Sequence, residues 1–210
     1  MARTQESPTK PRKSPQQERS KATVDAILEA AAQLLVELRY ARMTTAKVAA
    51  RAGVSVGSLY QYFPSKDALI GALVARKFAR VEPLMREVIA RTEGQPLETR
   101  VRTVIAATII DKAENPALNM ALAEQMPHVD GLDYKAAMSA SAISMIRAML
   151  ERHRGEIGVD DLDLAAFMLV HAVEGVIGAA LLSSPVALDD PRLADGLVQM
   201  AMAYLRPERR

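Results

Sequence analysis

A chain of 210 residues, half of them apolar and a quarter charged, is long enough for one large domain or a small one joined to a medium one. It contains no cysteine, which excludes disulfides, thiolate metal centres and cysteine nucleophiles and fits a reducing cytoplasm. The net charge of +2 conceals an asymmetry, since residues 1–66 hold 11 Lys+Arg against 5 Asp+Glu and the remainder 16 against 20, which either a nucleic-acid-binding head or a flexible basic tail would give.

Aromatics are scarce and Ala, Leu and Met abundant, so the expected class is all-α, with about nine helices. Residues 1–20, with Arg3, Lys10, Arg12 and Lys13 among Pro, Ser and Gln, read as a disordered basic tail without the apolar stretch of a secretory signal. Val24, Ile27, Leu28, Ala31, Leu34, Leu35 and Leu38 then recur at helical spacing and predict a helix over 21–38. Thr44 to Gly53 predicts a short helix with a Thr cap at its start and a Gly at its end. A second short helix follows over 56–62, stopped by Pro64. Ser65 caps the next helix, 66–92, in which Pro83 is expected to introduce a kink.

Further helices are expected at about 97–113, 117–125, 134–153, 161–183 and 190–205, separated by Gly-, Pro- and Asn-containing breaks. The longest uncharged run, Gly175 to Leu188, has 14 residues, too few to span a bilayer. The expected organisation is the tail (1–20), a small helical head (21–66) and a larger helical domain (67–210), in a cytoplasmic protein not associated with membrane.

Two short helices around a Gly-containing turn, flanked by longer helices, form a helix-turn-helix pattern. Val48, Ala52, Val54 and Leu59 supply its inward face, Ala49 permits a close crossing, and Gly53 accepts a positive φ. The outward face offers Ser55, Val56, Gly57, Ser58, Tyr60, Gln61 and Tyr62, small and hydrogen-bonding groups suited to a major groove. An ordinary helical hairpin has the same spacing. The full string from Thr44-Thr45 through Val48-Ala49, Ala52-Gly53-Val54-Ser55, Gly57-Ser58-Leu59-Tyr60 and Tyr62-Phe63 to Ser65-Lys66 and Leu69 is far more specific. It resembles the DNA-binding signature of the TetR family of bacterial regulators over residues 22–70.

That resemblance implies that Thr44, Thr45 and Lys66 contact phosphates. It also implies that Val56, Gly57, Ser58, Tyr60, Gln61 and Tyr62 read bases and backbone of duplex DNA, and that Leu59 and Phe63 belong to the core. It implies a homodimer through helices 161–183 and 190–205, and a pocket for a small apolar or amphipathic ligand among the central helices. Candidate lining residues are Ile105, Thr108, Ile109, Met120, Met138, Met145, Met149, Phe167 and His171, although any one of these methionines taken singly is better explained as plain core. The recognition face carries no Arg, so no bidentate guanine reader is present, and DNA shape is expected to share in specificity.

An enzyme is not expected. His128, His153 and His171 have no metal-ligand spacing such as HExxH, no Gly-rich phosphate loop is present, and Ser141 or Ser144 near His153 does not form a recognisable catalytic set. No cofactor or metal is called for. A helical scaffold that binds DNA without sequence preference is the competing reading.

Overall fold

The computed structural model describes residues 15–125, 131–183 and 188–206. Among these are nine α-helices and no strand: α1 (Pro15–Arg42), α2 (Thr45–Ala52), α3 (Val56–Tyr62), α4 (Lys66–Arg91), α5 (Leu97–Glu114), α6 (Pro116–Gln125), α7 (Gly131–Glu151), α8 (Leu162–Ser183) and α9 (Pro191–Leu205). The all-α expectation holds. A short 3-10 turn, Arg154–Glu156, follows α7. The chain divides into two compact units, one up to Leu69 and one from Ile70 onward.

The helix expected over 21–38 is longer, beginning at Pro15. Pro15 opens it because the first helical N–H has no intrahelical partner to lose, so residues 15–20, expected as tail, are helical. The tail up to residue 14 lies outside the described residues. Near its other end Arg39 has φ 59° and ψ 164°, so the backbone breaks out of the helix there. That conformation is sparsely populated by any residue but glycine. The break turns the chain so that Met43 is buried beneath the head.

The core of the first unit is built from Ile27, Leu28, Ala31, Leu34 and Leu35 of α1, Met43 ahead of α2, Val48 and Ala49 of α2, and Leu59 and Phe63, all buried. Ala52 and Val54, expected to face inward, are only half-buried. Their place at the turn leaves them on the margin of the core.

Gly53 ends α2 in the left-handed region, with φ 69° and ψ 27°. Val54 N–H closes the turn on Ala49 O at 3.0 Å, the pattern of a glycine C-cap. A Cβ built at Gly53 meets nothing within 4 Å. Gly53→Val is therefore expected to lower unfolding stability through backbone strain alone, by about 1–3 kcal/mol. Gly53→Asn should lose much less. Denaturant titration checks both, and equal stabilities for the Val and Gly proteins would remove the turn's requirement for positive φ.

In the second unit, Leu97, Val101, Ile105 and Ile109 of α5 join Met149 and Leu150 of α7, Ala165, Leu169, Ile177 and Leu181 of α8, and Leu197, Val198, Ala201 and Leu205 of α9 in one core. Pro83 lies inside α4 without ending it, and cannot donate to the carbonyl one turn back. Two polar features are buried here. Asp111 of α5 is 4% exposed and takes Arg80 at 2.6 Å on one oxygen and Lys77 at 3.3 Å on the other. Arg80 also reaches Glu114 at 2.7 Å, and Lys77 donates to Asn119 of α6. Arg100 is 1% exposed. Its Nη2 donates to Ile89 O near the end of α4 at 3.1 Å, and its Nη1 lies 3.2 Å from His153 Nε2. Its Nε has no partner among the described residues.

By length and composition alone, Leu162–Leu182 of α8 is sufficient to cross a bilayer. This corrects the expectation drawn from uncharged runs, because α8 stays apolar while carrying Asp163 and Glu174. One side of it is buried in the unit through Ala165, Ala166, Leu169, Val170, Ile177 and Leu181.

Candidate nucleic-acid interface and ligand cavity

In the head, local capping presents the outward face. Thr44 is the N-cap of α2, its Oγ1 accepting from Lys47 N–H at 3.3 Å. Ser55 caps α3 by accepting from Ser58 N–H at 3.0 Å, and the two hydroxyls lie 2.8 Å apart. Such caps satisfy donors that a helix start leaves open. They also mean that Thr44, Ser55 and Ser58 each have part of their hydrogen-bonding capacity engaged before any ligand arrives.

Tyr60 is half-exposed and its hydroxyl lies 3.1 Å from Thr45 Oγ1. This pair joins the start of α2 to the outer face of α3. Val56, Gly57 and Gln61 are exposed, while Tyr62 is half-buried. A large apolar side chain left open on such a short helix, as Val56 is at 42%, is what contact with a thymine methyl requires.

Lys66 is half-buried, not free on the surface. Its Nζ donates to Tyr40 O at 2.9 Å and lies 3.7 Å from the centroid of the Tyr40 ring. Tyr40 in turn donates its hydroxyl to Asp67. Ionising it would set a phenolate against that carboxylate, and its pKa is pushed up to about 12. These contacts brace the end of α1 on the start of α4. The sequence reading missed the brace, because Tyr40 and Asp67 stand 27 positions apart and neither belongs to a periodic stripe. Arg51 forms a second brace, a two-pronged pair with Glu37 at 2.8 Å on each oxygen. The Arg51 guanidinium holds the Glu37 carboxyl below its ordinary range.

In the second unit a cavity of about 130 Å³ opens among α4, α5, α7 and α8. Of the residues singled out from sequence, Ile105, Thr108, Met138, Met145 and Met149 lie on its wall. Ile109, Met120, Phe167 and His171 do not. Ile109 is buried in the core instead, and Met120 is half-buried on α6. Phe167 is 50% exposed on the outer side of α8, where its ring meets His171 edge-on at 4.5 Å. Glu174, one turn further along α8 from His171, lines the cavity.

Sequence reasoning missed the contribution of α4, whose Phe78, Val81, Glu82, Met85 and Ile89 form one wall. Their helical spacing was legible, but nothing in it distinguishes a cavity wall from a core face. Glu82 accepts from Ser141 at 3.0 Å and from Arg86 at 2.7 Å. Arg86 and then Ser141 lower its pKa, so it is ionised near neutrality.

A second, more polar cleft of about 320 Å³ is lined by Arg76, Lys77, Arg80, Asp111, Glu114 and Asn119, with three leucines. Asp111 borders both spaces.

Comparison with known proteins agrees with this layout. Residues 27–73 match the family of bacterial regulatory proteins of the tetR type. Residues 96–205 match the tetracyclin repressor-like C-terminal domain. A nucleoid occlusion factor, SlmA, from Shewanella frigidimarina is 31% identical over 131 residues, covering 62% of this chain and 63% of that protein. The transcriptional repressor KstR of Rhodococcus jostii is 29% identical over 137 residues, 65% of this chain and 58% of that one. These matches thus span less than two thirds of the curated relatives' length. Among solved structures, a TetR-family regulator from Mesorhizobium loti has a TM-score of 0.69 at 22% identity, covering 90% of this chain and 98% of that one. SmeT, the repressor of the Stenotrophomonas maltophilia multidrug efflux pump SmeDEF, has a TM-score of 0.68 at 27% identity, covering 90% and 93%. It has also been solved in complex with triclosan, with a TM-score of 0.67. With both parts of the chain matched in order, and the helix-turn-helix and the all-helical second unit both in place, the chain belongs to the TetR family of bacterial transcription regulators.

Proposed function

We propose that this regulator is a ligand-responsive repressor that binds a palindromic duplex operator as a homodimer. The observation that carries the DNA-binding part is the outward face of α3, on which Val56, Gly57, Tyr60 and Gln61 stand open above a buried Leu59. Thr44, Thr45, Ser55, Ser58 and Tyr62 flank that face as backbone contacts. Lys66 contributes its charge while bonded to Tyr40 O, so its first role is to hold the head together and its second to attract phosphate.

A single short recognition helix reads too few base pairs for a specific site, so two copies are needed. The outer side of α8 offers a surface for this. Leu164, Phe167, Met168, Val176 and Leu182 are exposed there, with Met200 of α9. Cβ atoms built on Gly175 and Gly178 meet nothing within 4 Å, which leaves room for a second helix to approach closely. Covering this surface also explains why so apolar a helix needs no bilayer.

The ligand would occupy the apolar cavity. A 130 Å³ space is comparable to one of about 150 Å³ that accepts a benzene ring. Larger ligands would need Met85, Met138, Met145 and Met149 to swing aside, which flexible thioether side chains permit. The wall contributed by α4 suggests the route of response. A ligand that repositions this helix would change the spacing of the two recognition helices and hence their fit to successive major grooves. SmeT, a repressor solved with triclosan, supports this reading.

Selection of bound fragments from random or genomic duplex by the purified protein tests it. A palindrome with half-sites set for two recognition helices is expected. Binding with no motif that disappears as salt rises would sink the operator reading and favour the non-specific scaffold. Against the recovered site, Tyr60→Ala should cost about 1–3 kcal/mol of affinity with the fold intact. A mobility-shift titration indistinguishable from the parent would take Tyr60 off the interface.

A further inference from the structure

The charges on the cavity wall point to the class of ligand. Three carboxylates line it, those of Glu82, Asp111 and Glu174, against one basic residue, Lys112. The three differ in how far protein cations already satisfy them. Asp111 is fully engaged by Lys77 and Arg80. Glu82 is half engaged, because Arg86 and Ser141 both bond its Oε1 and leave Oε2 without a partner among the described residues. Glu174, half-buried on α8, makes no hydrogen bond or ion pair among the described residues. Lys112 does not answer it with an ion pair, and its charge is instead felt by Lys77, beside Asp111.

A partly desolvated carboxylate beside an apolar chamber is costly unless a cation meets it. An anionic ligand would add to that cost. A neutral ligand would bury the carboxylate further without compensating it. A cation with an apolar body would offset the cost and fill the chamber at once, and Phe78 among the lining residues adds an aromatic group of the kind that attracts cations.

We infer that the cavity selects lipophilic monocations, a quaternary or protonated amine set against Glu174 and Glu82 with its apolar body among the methionines. The inference rests on the cavity being the ligand site. Three probes sharing a benzyl body separate the two ideas: benzyltrimethylammonium, benzyl alcohol and benzylsulfonate, each titrated into the full chain by calorimetry or ligand-observed NMR. Ammonium is expected to bind tightest, exceeding the sulfonate by about tenfold or more. Glu174→Gln should erase most of that margin while leaving the alcohol unchanged. Ala142→Phe, which fills the cavity from α7, should weaken all three.

If the alcohol binds and is lost in Ala142→Phe, but the ammonium has no advantage or keeps it in Glu174→Gln, the charge selection is overturned while the cavity stands. If none of the three binds, or Ala142→Phe changes nothing, the cavity itself is not the ligand site and both readings fall.

Discussion

Replacing Asp111 by alanine is expected to destabilise the protein by about 3–5 kcal/mol, the loss typical of removing one partner from a buried ion pair. Asp111 is 4% exposed and Lys77 18%, so both charges have left most of their water. Burial already holds the Lys77 pKa below its ordinary value, with the Lys112 charge pushing the same way and Asp111 opposing. Without Asp111, Lys77 faces Lys112 and Arg80 with Asn119 as its remaining partner among the described residues. Arg80, nearly half-exposed, can turn to Glu114 and solvent, so the cost falls on Lys77.

The sign of the pH dependence follows. A lysine whose folded pKa is depressed binds fewer protons folded than unfolded between the two values, so stability rises with pH across that window. The deficit of Asp111→Ala should therefore narrow as pH is raised from neutrality toward the ordinary lysine value of 10.5. Lys77→Met combined with Asp111→Leu should recover much of the loss, because a packed apolar pair removes the desolvation cost on both sides. Urea titrations at several pH values measure all three. A loss under about 1 kcal/mol for Asp111→Ala, the range of an exposed pair, would mean that Lys77 is already neutral or hydrated.

The second large effect concerns association. Phe167→Glu with Met168→Glu places two carboxylates on the exposed side of α8, where the side chains are 50% and 46% accessible. The subunit should fold, since neither residue enters its core. Sedimentation should show a monomer at concentrations where the parent is a dimer, and operator affinity should fall by at least about a hundredfold toward non-specific levels. A dimer of unchanged affinity would place the subunit interface elsewhere.

What was legible in the sequence and what was not divides by range. The head could be read because its signals are local: Thr44 three residues before Lys47 N–H, Gly53 at a helix end. Each acts within one turn of chain. The start of α1 was misplaced because the polar composition of residues 15–20 outweighed the Pro that opens the helix. The ion-pair lattice was invisible because Lys77 and Asp111 meet only when α4 and α5 pack, and many other Lys and Asp residues had equal claim. Phe167, expected in the pocket through the family resemblance, is exposed with His171 against its ring, on a helix apolar over most of its circumference. Periodicity then cannot distinguish the side facing the core from one left for a partner. Met138, Met145 and Met149, expected on the wall only through the family resemblance, do line the cavity, and their i, i+7 and i+11 spacing on α7 shows why they share one face of that helix.

The buried Arg100 fixes a proton elsewhere. A guanidinium only donates, so the ring nitrogen it faces, His153 Nε2, has to accept. The imidazole proton then sits on Nδ1 and points at Glu156 Oε1, 2.8 Å away. His153 is thereby committed to one tautomer by its neighbours on both sides, a state that nitrogen chemical shifts of the ring distinguish directly. Through that ring the last turn of α4, which supplies the Ile89 carbonyl to the same guanidinium, is joined to the 3-10 turn after α7 by hydrogen bonds that diverge from Arg100, one leg ending on Ile89 O and the other passing through His153 to Glu156. Lysine at position 100 could not continue it, because one ammonium cannot span both Ile89 and His153 as a planar fork does.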